Sequence, residues 1–404
     1  MKLEFGALTG EDSVRSVLTT EFDTSIYGID AQEVWASMIA QGPVLWPNPG
    51  CAVTASAAAV HESLHDASIF SSNPAAGYFG SDTGAIPLQI DPPMHSRYRK
   101  MLDPLFTPKL MAAREGQAAE IVNRLIDKFI DRGNVDFSHE FAVPFPSEMF
   151  LTLMGLPLDE LTDFLRIKEE MIRPQGADEA ARIRVQEKAS MWIADYINTA
   201  LSQREKNLTD DILSYFLGLE REGRLSREEI INICILFIPA GLDTVTDTLE
   251  CSLAFLSTHP AYRQQIVDDP NIVGRAVEEL LRYETPVPTV SRIAMSDTTL
   301  AGCPVAKGTR VRSVLAVANH DPSVFVNPQE VDFNRESNPH IAFGGGVHRC
   351  VGSHLARLEL RVALREWHRR IPEYSLAEGT ELRYRRGLRE IEHLPLVFPA
   401  AGAR

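Results

Sequence analysis

The most informative stretch of this sequence is Phe343-Gly344-Gly345-Gly346-Val347-His348-Arg349-Cys350-Val351-Gly352. Its consecutive glycines permit positive φ and let the backbone approach a flat ligand closely. The cysteine follows this loop and is predicted to open a helix, where free amides and the helix dipole stabilise a thiolate. An isolated cysteine is usually a small buried hydrophobic residue, but this context favours a ligand role for Cys350. A thiol nucleophile is the other alternative, although no separate base has a clear claim to activate it.

A long buried helix is predicted earlier in the chain. It begins with the capping box Ser226-Arg227-Glu228-Glu229 and extends to about Thr258, just before a proline. Its middle, residues 233–238, is apolar on all sides, which indicates burial. Pro239 and Gly241 predict a distortion at its centre, because proline removes a backbone hydrogen bond and glycine weakens a helix. Either a packing accommodation or a ligand pressed against the kink would explain such a distortion.

The remaining pattern predicts a mainly α protein with small β-sheets. Residues 110–260 are mostly helical, with apolar residues three or four apart. The other predicted elements are a hairpin over 43–54, a helix over 271–283, short β-runs over 292–317, a long loop over 319–339 and a helix from about 350 to 371. We expect a single domain over residues 1–404, with roughly the first 15 residues flexible.

Segment 343–352 matches the pattern F-x-x-G-x-H-x-C-x-G and resembles the haem-binding loop of the cytochrome P-450 monooxygenases. The whole chain is most similar to the soluble bacterial type, including camphor-hydroxylating members. The resemblance implies a large helical domain with haem b between the long central helix and the cysteine-loop helix. It also implies that the Cys350 thiolate is the axial iron ligand and pushes electron density onto iron, which favours O–O cleavage. The implied activity is the insertion of one oxygen atom from O2 into a small apolar substrate.

Ala240-Gly241-Leu242-Asp243-Thr244 resembles the oxygen-activation segment of that family. Splitting bound O2 requires two protons, so a hydroxyl at Thr244 is expected to hold dioxygen and water while the acid Asp243 connects the site to a proton supply. These two residues are the predicted catalytic pair. The alternative is that Thr244 only bonds back to the carbonyl four residues earlier, as threonines within helices do.

The resemblance also assigns a cofactor-binding set and a structural pair. His95, Arg99, Arg292 and His348 are expected to bind the haem carboxylates. The full cofactor-binding set is His95, Arg99, Ala240, Gly241, Arg292, Phe343, Gly344, His348, Cys350 and Gly352. Glu279 and Arg282 resemble the E-x-x-R pair, which ties its helix to the loop around Arg335. Departures from the family pattern are Met94, His320 and Pro239, of which the proline is expected to change the shape of the oxygen groove.

Composition limits the partners. The net charge of −15 argues against nucleic acid, whose phosphates require clustered Lys and Arg. No C-x-x-C pair, signal segment or apolar stretch of membrane-spanning length is visible, so we expect a reducing cytoplasm and no membrane. A monomer is expected as well. Since no flavin- or nicotinamide-binding motif is convincing, electrons are expected from an acidic ferredoxin and its NAD(P)H-dependent reductase. The predicted docking patch is Arg97, Lys100, Arg349, Arg357 and Arg361.

The substrate pocket is expected to be apolar. Its candidate residues are Tyr78, Phe79, Ile86, Leu88, Phe237, Ala240, Pro286, Val287 and Val290. They suit a terpenoid, an aromatic compound or a fatty acid, although residues 83–90 lack the polar aromatic anchor of the camphor-hydroxylating member. For each residue, plain core packing is an alternative.

Two other functions remain open from the sequence. A peroxide-driven peroxygenase would need a way to handle H2O2, and an intact Asp-Thr pair makes it the weaker alternative. A haem-binding sensor or carrier would need neither that pair nor an apolar pocket. Hydroxylation, dealkylation and epoxidation are all compatible with the leading hypothesis.

Overall fold

The computed structural model describes residues 26–73, 85–385 and 387–400, and helices dominate this part of the chain. The helices are α1 Ala31–Ile39, α2 Ala57–His65, α3 Met94–Leu102, α4 Pro108–Ala112, α5 Glu115–Asp127, α6 Pro144–Met154, α7 Leu161–Ile172, α8 Glu179–Arg204, α9 Ile212–Arg221, α10 Arg227–Leu242, α11 Thr244–Thr258, α12 Pro260–Asp268, α13 Val273–Glu284, α14 Leu315–Asn319 and α15 Ser353–Arg370. A π-helical turn covers Ser138–Ala142. The prediction of a mainly α protein is therefore confirmed.

The β-structure is confined to small sheets. The strands are β1 Val44–Asn48, β2 Cys51–Thr54, β3 Phe70–Ser71, β4 Asn134–Asp136, β5 Thr289–Ala294, β6 Thr298–Leu300, β7 Cys303–Val305, β8 Arg310–Val314, β9 Ser375–Leu376 and β10 Pro395–Val397. They form sheets in the orders β1-β2-β8-β5-β3, β4-β10-β9 and β6-β7. β1 and β2 pair antiparallel with Val44 opposite Thr54, which confirms the predicted hairpin.

The long central helix consists of two helices, α10 and α11, separated at Asp243. The capping box at its start is confirmed: the Glu229 amide donates to Ser226 Oγ at 3.1 Å, and the Ser226 amide donates to Glu229 Oε2 at 2.8 Å. Pro239 lies inside α10, but the helical pattern is interrupted at Asp243, whose φ is −117°. By length and composition Arg227–Thr258 could cross a membrane, yet 61% of its most apolar stretch is buried inside the protein, as in a core helix.

The main hydrophobic core surrounds this central helix. It gathers buried side chains from α5, α6, α8, α10, α11 and α15 in one cluster. Trp367 of α15 is fully buried at its centre and makes an edge-on contact with Phe137, with ring centroids 4.9 Å apart. Burial of such large side chains supplies most of the driving force for packing these helices. The core therefore fixes α11 and α15 relative to each other, and these are the helices that follow the two predicted chemical segments.

Two predicted boundaries were wrong. The last helix begins at Ser353, with Gly352 as its N-cap, and not at Cys350. Residues 315–319 form α14, whereas the sequence predicted β-structure up to Val317. The predicted helix over 271–283 is confirmed as α13, preceded by a short 3-10 turn. The predicted single domain over 1–404 remains a prediction, and its N-terminal segment lies outside the described residues.

Candidate active site

The cysteine loop is held mainly by main-chain groups. The Cys350 amide donates to the Phe343 carbonyl oxygen at 2.9 Å, and the Gly344 amide donates to the Ile341 carbonyl oxygen at 2.8 Å. Gly346 has φ +62°, and a Cβ on it would overlap the Leu64 carbonyl oxygen of α2. Glycine at 346 is therefore required for packing against α2, whereas the sequence assigned the glycines to the approach of a flat ligand. At Gly344, with φ +71°, the space where a Cβ would lie is open.

Cys350 is exposed at the end of this loop. Burial among surrounding protein atoms raises the pKa of its thiol, while a hydrogen bond from the Gly352 amide and the charges of Arg99, Arg349 and Arg357 oppose that rise. The amide and the three cations favour a thiolate once a metal replaces the proton.

A cationic cluster lies beside the cysteine loop. The rings of His95 and His348 lie 4.3 Å apart, and the Nε2 atoms of both are buried without a hydrogen-bond partner among the described residues. Burial, followed by the charges of Arg292, His95 and Arg99, lowers the pKa of His348 to about 3. The pKa of His95 is lowered by burial and then by Arg99. The structure thus brings together all four side chains that the sequence assigned to the haem carboxylates.

The two arginines of this cluster, Arg292 and Arg99, make different hydrogen bonds. Arg292 is 3% exposed and donates to the Ser291 carbonyl oxygen at 2.7 Å, and no carboxylate among the described residues pairs with it. Arg99 donates to Asp103 at 2.6 Å and to the Arg349 carbonyl oxygen at 2.6 Å, so it also anchors the cysteine loop. A buried cation and two unpartnered imidazoles attract carboxylates. These residues, with Cys350 beside them, therefore fit haem.

The oxygen-activation segment lies at the interruption between α10 and α11. Ala240 is exposed although Phe237, Ile238 and Pro239 before it are buried, so this face of the helix borders open space. The Thr244 hydroxyl donates to the Ala240 carbonyl oxygen at 3.2 Å, which is the back-bonding that was considered as an alternative. The hydroxyl oxygen keeps its lone pairs for accepting a further hydrogen bond.

Gly241 contacts the neighbouring helix. A Cβ at this position would lie 2.5 Å from Cδ2 of Phe150 in α6, so glycine allows the close packing of α10 on α6. The predicted cofactor contact of Gly241 stays a prediction, and a packing role is the one that the structure describes.

Asp243 is buried and bound by two cations. Lys168 Nζ lies 2.8 Å from Asp243 Oδ1, and Arg173 Nη2 lies 3.2 Å from Asp243 Oδ2. Although burial lowers the pKa of Lys168, the charges of Asp243 and then Glu169 raise it overall. The role of Asp243 in proton supply stays a prediction, and the carboxylate that would play it is paired with Lys168 of α7 and with Arg173, which follows α7.

A group of acids that the sequence analysis missed lies behind Asp243. Carboxylate oxygens of Asp243, Asp247 and Glu390 all lie within 4.8 Å of one another. Both carboxyl oxygens of Asp247 are buried and lack a hydrogen-bond partner among the described residues. Burial and then the charge of Asp243 raise the pKa of Asp247 well above its ordinary value, and burial raises that of Glu250 to about 8. Asp247 and Glu250, the two charged residues within an otherwise uncharged α11, were the sequence signal for this group.

The E-x-x-R pair is fully buried. Arg282 donates to both oxygens of Glu279 at 2.9 and 2.7 Å and to the carbonyl oxygens of Asn319 and Pro328. Arg335 Nε also donates to Glu279 Oε2 at 3.1 Å. The pair thereby joins α13 to the loop around Arg335, as the resemblance implied.

The other predicted residues fall into three groups. Tyr78 and Phe79 lie outside the described residues. Ile86 and Phe237 are buried in the main core, whereas Leu88, Val287 and Val290 are half-buried. In the predicted docking patch, Arg97 is paired with Glu229 at 2.6 Å and Arg357 with Glu278 at 2.7 Å. Their charges are thus neutralised locally, and the unpaired cations of the patch among the described residues are Lys100, Arg349 and Arg361.

The departures from the family pattern also have structural descriptions. His320 is buried, its Nδ1 lies 2.9 Å from the Ala316 carbonyl oxygen, and burial lowers its pKa to about 3. Its ring lies 4.9 Å from that of Trp35, so it packs as a neutral group and not as an ion-pair partner. Met94 is exposed at the start of α3.

Comparisons with known proteins agree with this geometry. Residues 178–367 match the family model for cytochrome P450. The chain is 33% identical over 321 residues to a probable cytochrome P450 127A1 of Sinorhizobium fredii, covering 78% of this chain and 76% of that one. It is 31% identical over 326 residues to the 6-deoxyerythronolide B hydroxylase of Saccharopolyspora erythraea, covering 79% and 78%.

Solved structures give the same result over nearly the whole chain. The myxobacterial cytochrome P450 CYP267B1, solved in complex with myristic acid, superimposes with a TM-score of 0.85 and 29% identity, covering 94% of this chain and 99% of that one. A coverage of 94% of this chain extends well beyond the residues 178–367 that match the family model. The chain therefore belongs to the cytochrome P450 family, and it is a monooxygenase that binds haem through a cysteine thiolate and uses O2.

Proposed function

We propose that this protein hydroxylates a small hydrophobic substrate with O2 and two electrons delivered by an acidic ferredoxin. The observation that carries the proposal is the placement of Asp243 and Thr244 at the interruption of the central helix, beside the exposed Ala240. Oxygen activation needs proton delivery at this place, whereas a peroxygenase or a haem sensor does not. Burying the charges of Asp243, Lys168 and Arg173 beside the Thr244 hydroxyl costs desolvation free energy. Neither a peroxygenase nor a haem sensor would need this arrangement.

The haem supplies redox and oxygen-transfer chemistry when it is bound. Cys350 would hold its iron, and Arg292, His95 and His348 would bind its carboxylates. The hydroxyl of Thr244 would accept or donate a hydrogen bond on the open side of the helix interruption. Asp243, fixed by Lys168 and Arg173, would exchange a proton with water that reaches Thr244. The acids behind it, Asp247 and Glu390, would keep further protons close to Asp243.

The substrate class is inferred from the apolar surroundings and from the relatives. Phe237 of α10 contributes to an aromatic group, with its ring 5.9 Å from that of Phe106. A macrolide-precursor hydroxylase and a myristic acid complex are among the similar proteins. A fatty acid, terpenoid or aromatic compound contacting Ile86, Leu88, Phe237, Val287 and Val290 is the proposed substrate. Tyr78, Phe79 and Pro286 stay in the candidate set, and Ala240 borders both cofactor and substrate.

The electron donor is inferred from charge. Lys100, Arg349 and Arg361 carry the unpaired positive charge of the predicted patch, on a protein of net charge −15. A local basic patch on an acidic protein steers an acidic partner to one face. Electrons from a cytoplasmic ferredoxin, passed on from NAD(P)H by its reductase, fit this charge distribution.

The test compares Thr244→Ala with Thr258→Ala, because Thr258 makes the same kind of back-bond to Ala254 at 3.2 Å far from the interruption. Candidate substrates are first selected by their shift of the haem spin state. Product formed per NAD(P)H is then measured with a ferredoxin and reductase. We expect Thr244→Ala to lose at least about tenfold in coupling and to release hydrogen peroxide, whereas Thr258→Ala stays at the wild-type ratio.

Two outcomes would contradict the proposal. Full coupling in Thr244→Ala at saturating substrate would remove Thr244 from proton delivery. Product formation with hydrogen peroxide alone, at the rate of the ferredoxin system, would establish the peroxygenase alternative instead.

A further inference from the structure

A group of potential metal ligands lies on the protein surface, apart from the haem-binding residues. Asp136 ends β4, His139 lies in the π-helical turn Ser138–Ala142, and His393 precedes β10. The three residues converge because β4 and β10 pair antiparallel, with Pro395 opposite Asp136. Residues far apart in the sequence are thereby brought to one sheet edge.

The geometry resembles that of a ligand set around a small cation. Asp136 Oδ2 lies 2.8 Å from His393 Nδ1 and 3.0 Å from His139 Nδ1. The two imidazole rings are stacked 4.8 Å apart at 25°, so both Nδ1 atoms face the same carboxylate oxygen. All three ligand atoms lie within 4.8 Å of one another. Ligands of tetrahedral zinc are separated by about 3.4 Å, since its bonds are about 2.1 Å long, so small side-chain shifts would admit the ion.

The carboxylate is held in place by the backbone around it. The Leu394 amide donates to Asp136 Oδ1 at 3.3 Å, on the oxygen that does not face the histidines. The Asp136 amide donates to Glu140 Oε1 at 3.2 Å, which links β4 to the π-helical turn. A hydrogen bond such as that from the Leu394 amide orients a metal-binding carboxylate in known sites and strengthens its affinity.

Charge and exposure favour entry of an ion. The carboxylate of Asp136, which faces both imidazoles, supplies the negative charge that attracts a cation. The side chains of His139 and His393 are 58% and 69% exposed, so water can complete the coordination. Two imidazoles and one carboxylate are ligands that Zn2+ accepts, with an open position for water.

We propose that Asp136, His139 and His393 form a surface binding site for Zn2+. Bound zinc would connect β4, the π-helical turn and the segment before β10, and so tie the C-terminal part of the chain to the helical core. The ion would displace protons from the imidazoles, so binding would weaken as the pH falls through the range where histidine is protonated. The site is independent of the haem and of the proposed catalytic function.

The test uses the haem-loaded protein without a histidine tag, titrated with ZnCl2 by calorimetry at pH 7.5 and pH 5.5. We expect one zinc ion per chain at pH 7.5, at least tenfold weaker binding at pH 5.5, and a rise of a few °C in the melting temperature with zinc. His139→Ala and His393→Ala should each weaken binding by about tenfold or more. His259→Ala, which removes an exposed imidazole elsewhere, should bind zinc as the wild type does.

Both histidines are exposed, so their removal leaves the fold intact, and an unchanged haem spectrum and zinc-free melting temperature check this. The proposal is overturned if the wild type binds no zinc at pH 7.5. It is equally overturned if the double variant His139→Ala/His393→Ala keeps the wild-type affinity, because zinc would then bind elsewhere, for example at Cys51 or Cys303.

Discussion

Among single residues, Cys350 shows most directly how local sequence determines chemistry. Its amide is bound by Phe343 and its sulfur receives the Gly352 amide, so the thiol position depends on the backbone of its own loop. This arrangement could be predicted from the sequence because all of its parts are local. The loop glycines were harder to interpret, since the atoms that require glycine at 346 belong to α2, far away in the chain.

Replacing Cys350 by Ser should abolish thiolate ligation of the haem. A serine oxygen is a poorer donor to iron than a thiolate, so the strongly red-shifted Soret band of the reduced carbon monoxide complex should disappear. The measurement is a dithionite-reduced difference spectrum, with Cys303→Ser on β7 as the matched control that keeps the band. A retained band in Cys350→Ser would show that another residue binds the iron.

Asp247 could not be assigned from the sequence, because its partners Asp243 and Glu390 come together only in the folded chain. The residue is fully buried between these acids, with Arg173 and Glu250 also facing it. A buried carboxyl without hydrogen bonds is far more stable in its neutral form. Burial and the charge of Asp243 therefore favour the neutral form of Asp247 in the folded chain.

Asp247→Asn should stabilise the protein increasingly as the pH rises. Because the pKa of Asp247 is raised in the folded state, its stabilisation of the fold is complete below the ordinary pKa of 3.8. This stabilisation is lost as the pH rises towards the pKa of the folded state. The loss amounts to as much as about 1.4 kcal/mol per pH unit, and a neutral amide avoids it. Melting temperatures at pH 5, 6.5 and 8 should show the variant gaining on the wild type, whereas the exposed control Asp159→Asn should not. A constant difference across this range would mean that Asp247 is ionised in the folded protein.

At the scale of elements, the central helix shows what a sequence pattern predicts and what it leaves open. The capping box, the length and the burial of the helix followed from local sequence. A distortion was expected around Pro239 and Gly241, but the helical pattern is interrupted at Asp243, whose carboxylate is paired with Lys168 of α7 and with Arg173, which follows α7. Tertiary contacts thus decide where a weakened helix breaks.

Gly241→Ala should destabilise the contact between α10 and α6. The added methyl group would overlap the Phe150 ring, and such overpacking costs about 1–3 kcal/mol. Gly218→Ala in α9 is the matched control, because nothing lies within 4 Å of its added Cβ and alanine is the better helix former by about 1 kcal/mol. Thermal unfolding should therefore move in opposite directions for the two variants. Equal stabilisation of both would mean that Phe150 moves away at no cost.

At the scale of the whole molecule, the fold could be predicted from the sequence, whereas the ion pairs on the surface could not. The net charge of −15 and the family fold followed from the sequence. The sequence did not indicate which arginines stay unpaired, because Glu229 and Glu278 contact Arg97 and Arg357 only through tertiary packing. The effective basic patch is therefore smaller than the sequence suggested.

Reversing the charge of this patch should slow reduction by a ferredoxin. We expect Lys100→Glu/Arg349→Glu to reduce the rate of haem reduction by an acidic ferredoxin at least about tenfold at low ionic strength, with a weaker salt dependence. Lys206→Glu/Lys307→Glu changes the net charge equally at exposed positions elsewhere and should keep the wild-type rate. Stopped-flow absorbance gives both rates, and reduction by dithionite checks that the haem itself is unaffected. Equal slowing in both double variants would indicate a general charge effect and no docking patch.

The main-chain anchoring of the cysteine loop has a consequence for mutational tolerance. Arg99 donates to the carbonyl oxygens of Val347 and Arg349, and the Gly346 amide donates to His65 Nε2, so the side chains of Val347 and Arg349 are not used to hold the loop. A saturation library over residues 344–352 should accept most amino acids at 347 and 349 while rejecting nearly all of them at 346. The outward face of the loop can then diverge to suit new electron donors, while the geometry around the sulfur is inherited unchanged.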